Sequence, residues 1–188
     1  MKTKYPNLPS GLYDIYPEGI QRASFKVYCD MTSKNGTGVT VIRHDSEVRT
    51  RARIYNKKIV YQGNMAGIAA LISISKHCEQ FIKYECVSSP LYLRFSSWWV
   101  SRQGAKMKYW GGAAVNSGKC ACGMTNSCIG RYNKCNCDAL LLFDSQMRED
   151  SGYLTDKKTL PVTELHFGGT SHSFQKGYHT LGKLSCWG

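Results

Sequence analysis

This sequence predicts an α+β domain with antiparallel strands, one main helix and long disulfide-stapled loops. Three observations carry that expectation. Short runs of aromatic and β-branched residues recur between turn residues. One stretch alone repeats apolar residues at helical spacing. Nine cysteines are present, and five of them (Cys120, Cys122, Cys128, Cys135 and Cys137) crowd into one segment, a thiol usage that belongs to an oxidising compartment.

The strands come first. LYDI (12–15) and FKVYC (25–29) read as strands, separated by a turn at Pro17, Glu18 and Gly19. SKNGTG (33–38) carries Asn35-Gly36, a strong hairpin signal, and VTVIRH continues as a strand after it. Arg49, Arg51 and Arg53 alternate, so a strand there places them on one face. Met65 to Cys86 reads as the helix: Ile68, Leu71, Ile72, Ser75, Cys78 and Glu79 recur at its spacing, followed by Phe81 and Ile82. Leu91 to Val100 (LYLRFSSWWV) reads as a buried strand, and further strands are expected at 139–143 and 162–167. Trp98 and Trp99 then point to opposite faces.

Composition narrows the function classes. The chain has 188 residues, a length that fits one domain. Lys and Arg total 25 against 13 Asp and Glu, a net charge of +12. That balance attracts polyanions, and the extracellular cysteine usage puts sulfated or sialylated glycan ahead of nucleic acid. The basic stretch from Arg43 to Lys58 is read either as a solvated face or as an anionic-glycan surface. The apolar stretch Met65 to Ser75 is too short to span a bilayer, so no membrane insertion is expected. MKTKYPNLPS has a basic start without an apolar h-region; the expectation is a removed leader or a start within a longer chain. No nucleophile elbow, phosphate loop or paired catalytic carboxylates occur, and His44, His77, His166, His172 and His179 lack HxH or HExxH spacing. The expectation is therefore not an enzyme. Asn35-Gly36-Thr37 fits the N-glycosylation pattern.

Cys-x-Cys occurs at 120/122 and 135/137, and such neighbours seldom bond each other. Disulfides are expected among Cys78, Cys86, Cys120, Cys122, Cys128, Cys135, Cys137 and Cys186, with the connectivity open. A thiolate zinc cluster is the alternative reading of the loop cysteines. Asn126, Asn133, Asn136 and Asp138 lie inside that loop, and Asp144, Glu149 and Asp150 follow it. Asp138, Asp144, Glu149 and Asp150 are the densest acidic group in a basic chain, and calcium takes six to eight such oxygens. The other reading of these acids is that they hold turns and caps. Tyr132 and Tyr153 stand beside the group as faces for a sugar, with Trp110 in YWGG read as packed or as a stacking ring.

SGLYDIYPEG followed by FKVYCDMTS resembles the opening of a fibrinogen-like domain. ISISKHCEQFIKYEC, SWWVSR, YWGG, KCACGMTNSC, KCNCDA, DSGYLTDKKTLPV and the terminal LSC resemble the fibrinogen-like region of contactin-associated proteins, the neurexin IV group. The segment ending in YEC is also similar to the C-propeptide of fibrillar collagens. The loop CIGRYNKCNCD with FDSQMREDSGY resembles the calcium and sugar loop of intelectins. The resemblance runs from about Ser10 to Cys186. It implies a tail over 1–9 and one fibrinogen-like domain over 10–188, with a central antiparallel sheet. Such domains carry a cysteine ahead of SGxY that pairs with the one in VYCDM. This chain has none, so the resemblance leaves Cys29 as the odd thiol, expected to join two chains in a homodimer.

The resemblance implies binding rather than catalysis. The first expectation is a secreted, calcium-dependent lectin for terminal galactose or N-acetylated hexoses on cell-surface glycoproteins, with a part in innate immunity. Its metal ligands would be Asp138, Asp144, Glu149 and Asp150; its sugar contacts would be Asn126, Tyr132, Asn136, Tyr153 and Trp110. The alternative is a non-catalytic protein-binding module of cell adhesion or matrix, as in contactin-associated proteins.

Overall fold

The structure is a computed structural model and describes residues 7–17, 19, 24–53, 55–130, 132–139 and 145–188. Two antiparallel sheets share the core. The larger contains β1 (Gly11–Ile15), β2 (Phe25–Asp30), β3 (Val39–Ile42), β4 (Thr50–Ala52), β6 (His77–Val87), β9 (Arg148–Leu154) and β11 (Lys176–Trp187). Its order is β1-β2-β3-β11-β6-β9, and β4 also pairs with β11. The smaller sheet has the order β5-β10-β7-β8, from β5 (Tyr55–Lys58), β7 (Trp98–Val100), β8 (Lys106–Met107) and β10 (Glu164–Phe167).

β11 organises the large sheet. Along one edge it pairs with β6; along the other, β3 takes Leu184–Trp187 and β4 takes Gly177–His179. An irregularity between Leu181 and Leu184 separates the two segments. Cys78 and Cys186 face each other in the β6–β11 register and are bonded, with Cα atoms 4.1 Å apart.

The reading of 65–86 as one helix is corrected. The helix spans Met65–Ile74, capped by Asn64, whose side chain accepts from Gly67 N at 2.7 Å. Ile68, Leu71 and Ile72 are its buried stripe. Beyond Ser75 the burial alternates: Cys78, Gln80, Ile82, Tyr84 and Cys86 point inward along β6. A period of two is a strand's signature, and Gln80, a polar residue, hides it in the sequence. Gln80 is buried because its amide is fully used. Oε1 accepts from Val162 N at 3.0 Å, and Nε2 donates to Tyr61 Oη and Gly182 O.

The hairpin at Asn35-Gly36 forms between β2 and β3, with Lys34, Asn35 and Gly36 all at positive φ. The strand expected over Leu91–Val100 shrinks to Trp98–Val100, preceded by turns. The strand expected over 162–167 spans Glu164–Phe167, and that expected over 139–143 lies almost wholly outside the described residues. Trp99 is fully buried and Trp98 faces His166 and Lys106 outside. Tyr84, Phe167 and His179 stack through the core, with ring centroids 5.0 and 5.3 Å apart. No helix among the described residues is long and apolar enough to cross a membrane.

Candidate functional site

The cysteine-rich segment is held by Cys120–Cys135, Cys122–Cys128 and Cys86–Cys137. The last bond ties it to β6. A short 3-10 turn, Asn136–Asp138, sits over β9. Stapling a loop with little core of its own restricts the unfolded chain and leaves a preorganised surface. The eight bonded cysteines offer no thiolate set for zinc.

Asp150 is the anchor under this turn. It is 3% exposed, and its two carboxylate oxygens accept from Asn136 N at 2.9 Å and Cys137 N at 2.8 Å. Its carboxyl is pushed up to about 6 because burial outweighs those two hydrogen bonds, with the charges of Asp138 and Glu149 adding to the rise. Asp138 accepts from Tyr92 N at 3.0 Å, and burial raises its pKa.

Among the described residues, the expected calcium ligands Asp138, Glu149 and Asp150 are not gathered into one cage. Glu149 and Asp150 are neighbours on a strand, so they point to opposite faces. Asp150 goes inward. Glu149 lies outside near Lys83 Nζ, 3.7 Å away, and opposite Glu85 in the register. Asp138 serves a different backbone segment, and Asp144 lies outside the described residues. Among the described residues, the one group of three ligand-type side chains within 4.8 Å is Cys120, Cys135 and Asp150. Its two sulfurs are spent on each other. Asp138, Glu149 and Asp150 alone therefore present no shared oxygen set to one ion.

The expected sugar contacts also disperse. Trp110 is fully buried and donates Nε1–H to Asp150 O at 3.0 Å, so the reading of its ring as a sugar platform is corrected. Asn136 is occupied, accepting from Ile129 N and donating to Glu149 O. Asn126 is exposed at positive φ. Tyr153 is half exposed and meets Phe81 edge-on at 5.4 Å. Cys29, expected to bridge two chains, is 4% exposed on β2, hydrogen-bonded across to Thr40 and raised in pKa by burial. It lines a groove with Met31, Leu71, Ile74 and Trp187, so a second chain would have to enter that groove to reach the sulfur.

Tyr132 and Asp138, in contrast, come together with residues that sequence reasoning placed in a buried strand. Tyr92, Arg94, Phe95, Tyr132, Asn133 and Asp138 line a cleft of about 220 Å³ beside the stapled loop. Phe95 is 85% exposed and Tyr132 is 92% exposed. Tyr92 and Tyr132 both adopt positive φ, 40° and 69°, which bulky residues rarely do. Buried Asp138 fixes the Tyr92 backbone. A rim of exposed aromatics next to an arginine has the composition of a protein-binding hot spot. The burial pattern of LYLRFSSWWV hid it, because Leu91 and Leu93 do point inward.

No family model matches the chain. Curated relatives do. The chain is 36% identical over 191 residues to contactin-associated protein 1 of Rattus norvegicus, covering 95% of this chain and 14% of the relative. The Homo sapiens protein of the same name is 35% identical over 191 residues, and Neurexin-4 of Drosophila melanogaster is 35% identical over 180 residues, 87% of this chain. The chain thus spans about one seventh of the length of the curated relatives it matches, 13% to 14%.

Proposed function

Taking as premise that this chain is a fibrinogen-like domain of the contactin-associated protein type, we propose that it is a non-catalytic, extracellular, protein-binding module of cell adhesion. The observation that carries the reading is the aromatic rim. Tyr92, Phe95 and Tyr132 are exposed on two segments: Asp138 accepts from the Tyr92 backbone, and Tyr132 lies in the loop that Cys120–Cys135 closes. Exposed aromatics on a soluble surface mark recognition sites more often than chance exposure does. Four disulfides support an oxidising, extracellular setting.

The relatives' name makes a contactin ectodomain the first probe. Immobilised contactin ectodomain should bind the chain equally with and without EDTA. Phe95→Ser with Tyr132→Ser should abolish binding while the thermal midpoint stays unchanged, since neither ring is buried. A glycan array run in parallel separates this from a calcium-dependent lectin. Galactose-type glycan binding that EDTA removes, with no protein binding, would replace the adhesion reading by the lectin one.

A further inference from the structure

A second, chemically different surface lies on the opposite side of β11 from β6. The basic stretch around β4 divides into two parts. Arg49 is used: its guanidinium is 2.8 Å from Glu85 and lies 3.7 Å over the Tyr178 ring. Arg51 and Arg53 are exposed and make no ion pair among the described residues. They line a cleft of about 490 Å³ with Ser171, His172, Ser173 and Gln175.

The register explains the arrangement. Arg51 pairs with Tyr178 and Ala52 with Gly177 across the β4–β11 ladder. The ladder ends there: Arg53 directly follows β4, and exposed Lys176 begins β11. Cross-strand partners share a face, and alternate residues on a strand are about 7 Å apart. Arg51 and Arg53 thus place two cations along one wall of the cleft, with Lys176 exposed at the start of β11. The other wall is a turn in which Gln175 Oε1 accepts from His172 N at 3.0 Å, and Gln175 N donates to His172 O. With its backbone so closed, the turn leaves Ser171 and Ser173 exposed beside the arginines. No carboxylate lines the cleft.

We propose that the cleft between β4 and the 171–175 turn binds the sulfate esters of a sulfated glycosaminoglycan. A guanidinium presents a planar fork of donors that matches a tetrahedral oxyanion with two hydrogen bonds. Two such forks two residues apart in one cleft fit a ligand carrying several anions along its length. A glycan with one terminal carboxylate satisfies a single arginine and leaves the other unused. The hydroxyl of Ser173 adds a neutral donor to the same oxygens, while that of Ser171 is turned to Gln175 Oε1 at 3.5 Å. The net charge of +12 draws the polyanion from a distance, and the cleft selects sulfate at contact.

The test is fluorescence anisotropy with a labelled, fully sulfated heparin octasaccharide and the whole chain, at low and physiological salt. Arg51→Ala with Arg53→Ala should weaken binding by about tenfold and flatten its salt dependence. Arg51→Lys with Arg53→Lys keeps the charge but not the fork, and should still lose about threefold. Lys106→Ala with Lys108→Ala removes equal charge at the far edge of the four-stranded sheet and should change affinity less than about twofold. Desulfated octasaccharide and sialyllactose should not compete. Equal losses in the two alanine pairs, or competition by either unsulfated glycan, overturns the proposal. Should the arginine-to-alanine pair unfold, Ser173→Asp places a carboxylate in the cleft. Unimpaired heparin binding by that variant overturns the proposal equally.

Discussion

Gly111 and Gly152 meet backbone to backbone. A Cβ on Gly111 would stand 2.3 Å from the carbonyl carbon of Gly152, and a Cβ on Gly152 would stand 2.5 Å from that of Gly111. The neighbouring bond, Gly112 N to Tyr153 O at 3.0 Å, locks the approach. This is how the segment carrying Trp110 lies flat on β9, with its indole reaching Asp150 O.

Gly152→Ala should therefore destabilise the chain by overpacking against an unyielding backbone. The cost expected is about 1–3 kcal/mol, read as a lower denaturant midpoint at unchanged slope. An alanine at Gly104, where nothing lies within 4 Å, meets no such wall, although its φ of +82° carries its own strain. A Gly152→Ala midpoint equal to wild type would mean that the two segments do not touch.

Asp150→Ala should unfold the stapled turn more than it alters any ligand response. Two main-chain donors, Asn136 N and Cys137 N, lose their acceptor in a buried place. The expected cost is roughly 2–4 kcal/mol by urea titration. Added calcium should leave the wild-type midpoint where it was. A calcium-dependent rise in the wild type that is absent from the variant would restore the metal reading.

These residues also show what a sequence exposes and what it conceals. The cysteine pattern, the strands expected at 12–15 and 25–29, and the Asn35-Gly36 turn are all legible, because each is a local signal. β6 is not. Ile68, Leu71 and Ile72 set a helical rhythm, and Gln80 broke the two-residue rhythm that follows it. β11 was also hidden, since Gly177 and His179 take inward positions where a reader looks for aliphatic residues. The acidic group misled for a related reason. Proximity in sequence suggested one cage, whereas strand alternation separates Glu149 from Asp150, and main-chain amides use Asp138 and Asp150. The aromatic rim and the basic cleft each join segments distant in the chain, so alternating Arg51 and Arg53 showed only one wall of the second.

His179 makes stability depend on pH. It is 1% exposed, stacked on Phe167, and faces Tyr84 and Thr50 across its strand neighbours. Burial, with the Lys57 charge as a smaller cause, lowers its pKa from 6.5 to about 4. Between those values the unfolded chain takes up a proton that the folded chain refuses. Stability attached to this group is thus complete above pH 6.5, falls as pH drops through the window, and levels off below about 4. The size is about 3 kcal/mol, from the shift times 1.36 kcal/mol per unit. His179→Phe keeps an aromatic ring against Phe167 but cannot titrate. Its urea midpoint should decline less than wild type between pH 7 and 4.5, while His44, also lowered by burial, contributes equally to both curves. Parallel curves for the two proteins would show that the imidazole titrates alike in the folded and unfolded chain, and that some group other than His179 sets the acid limit.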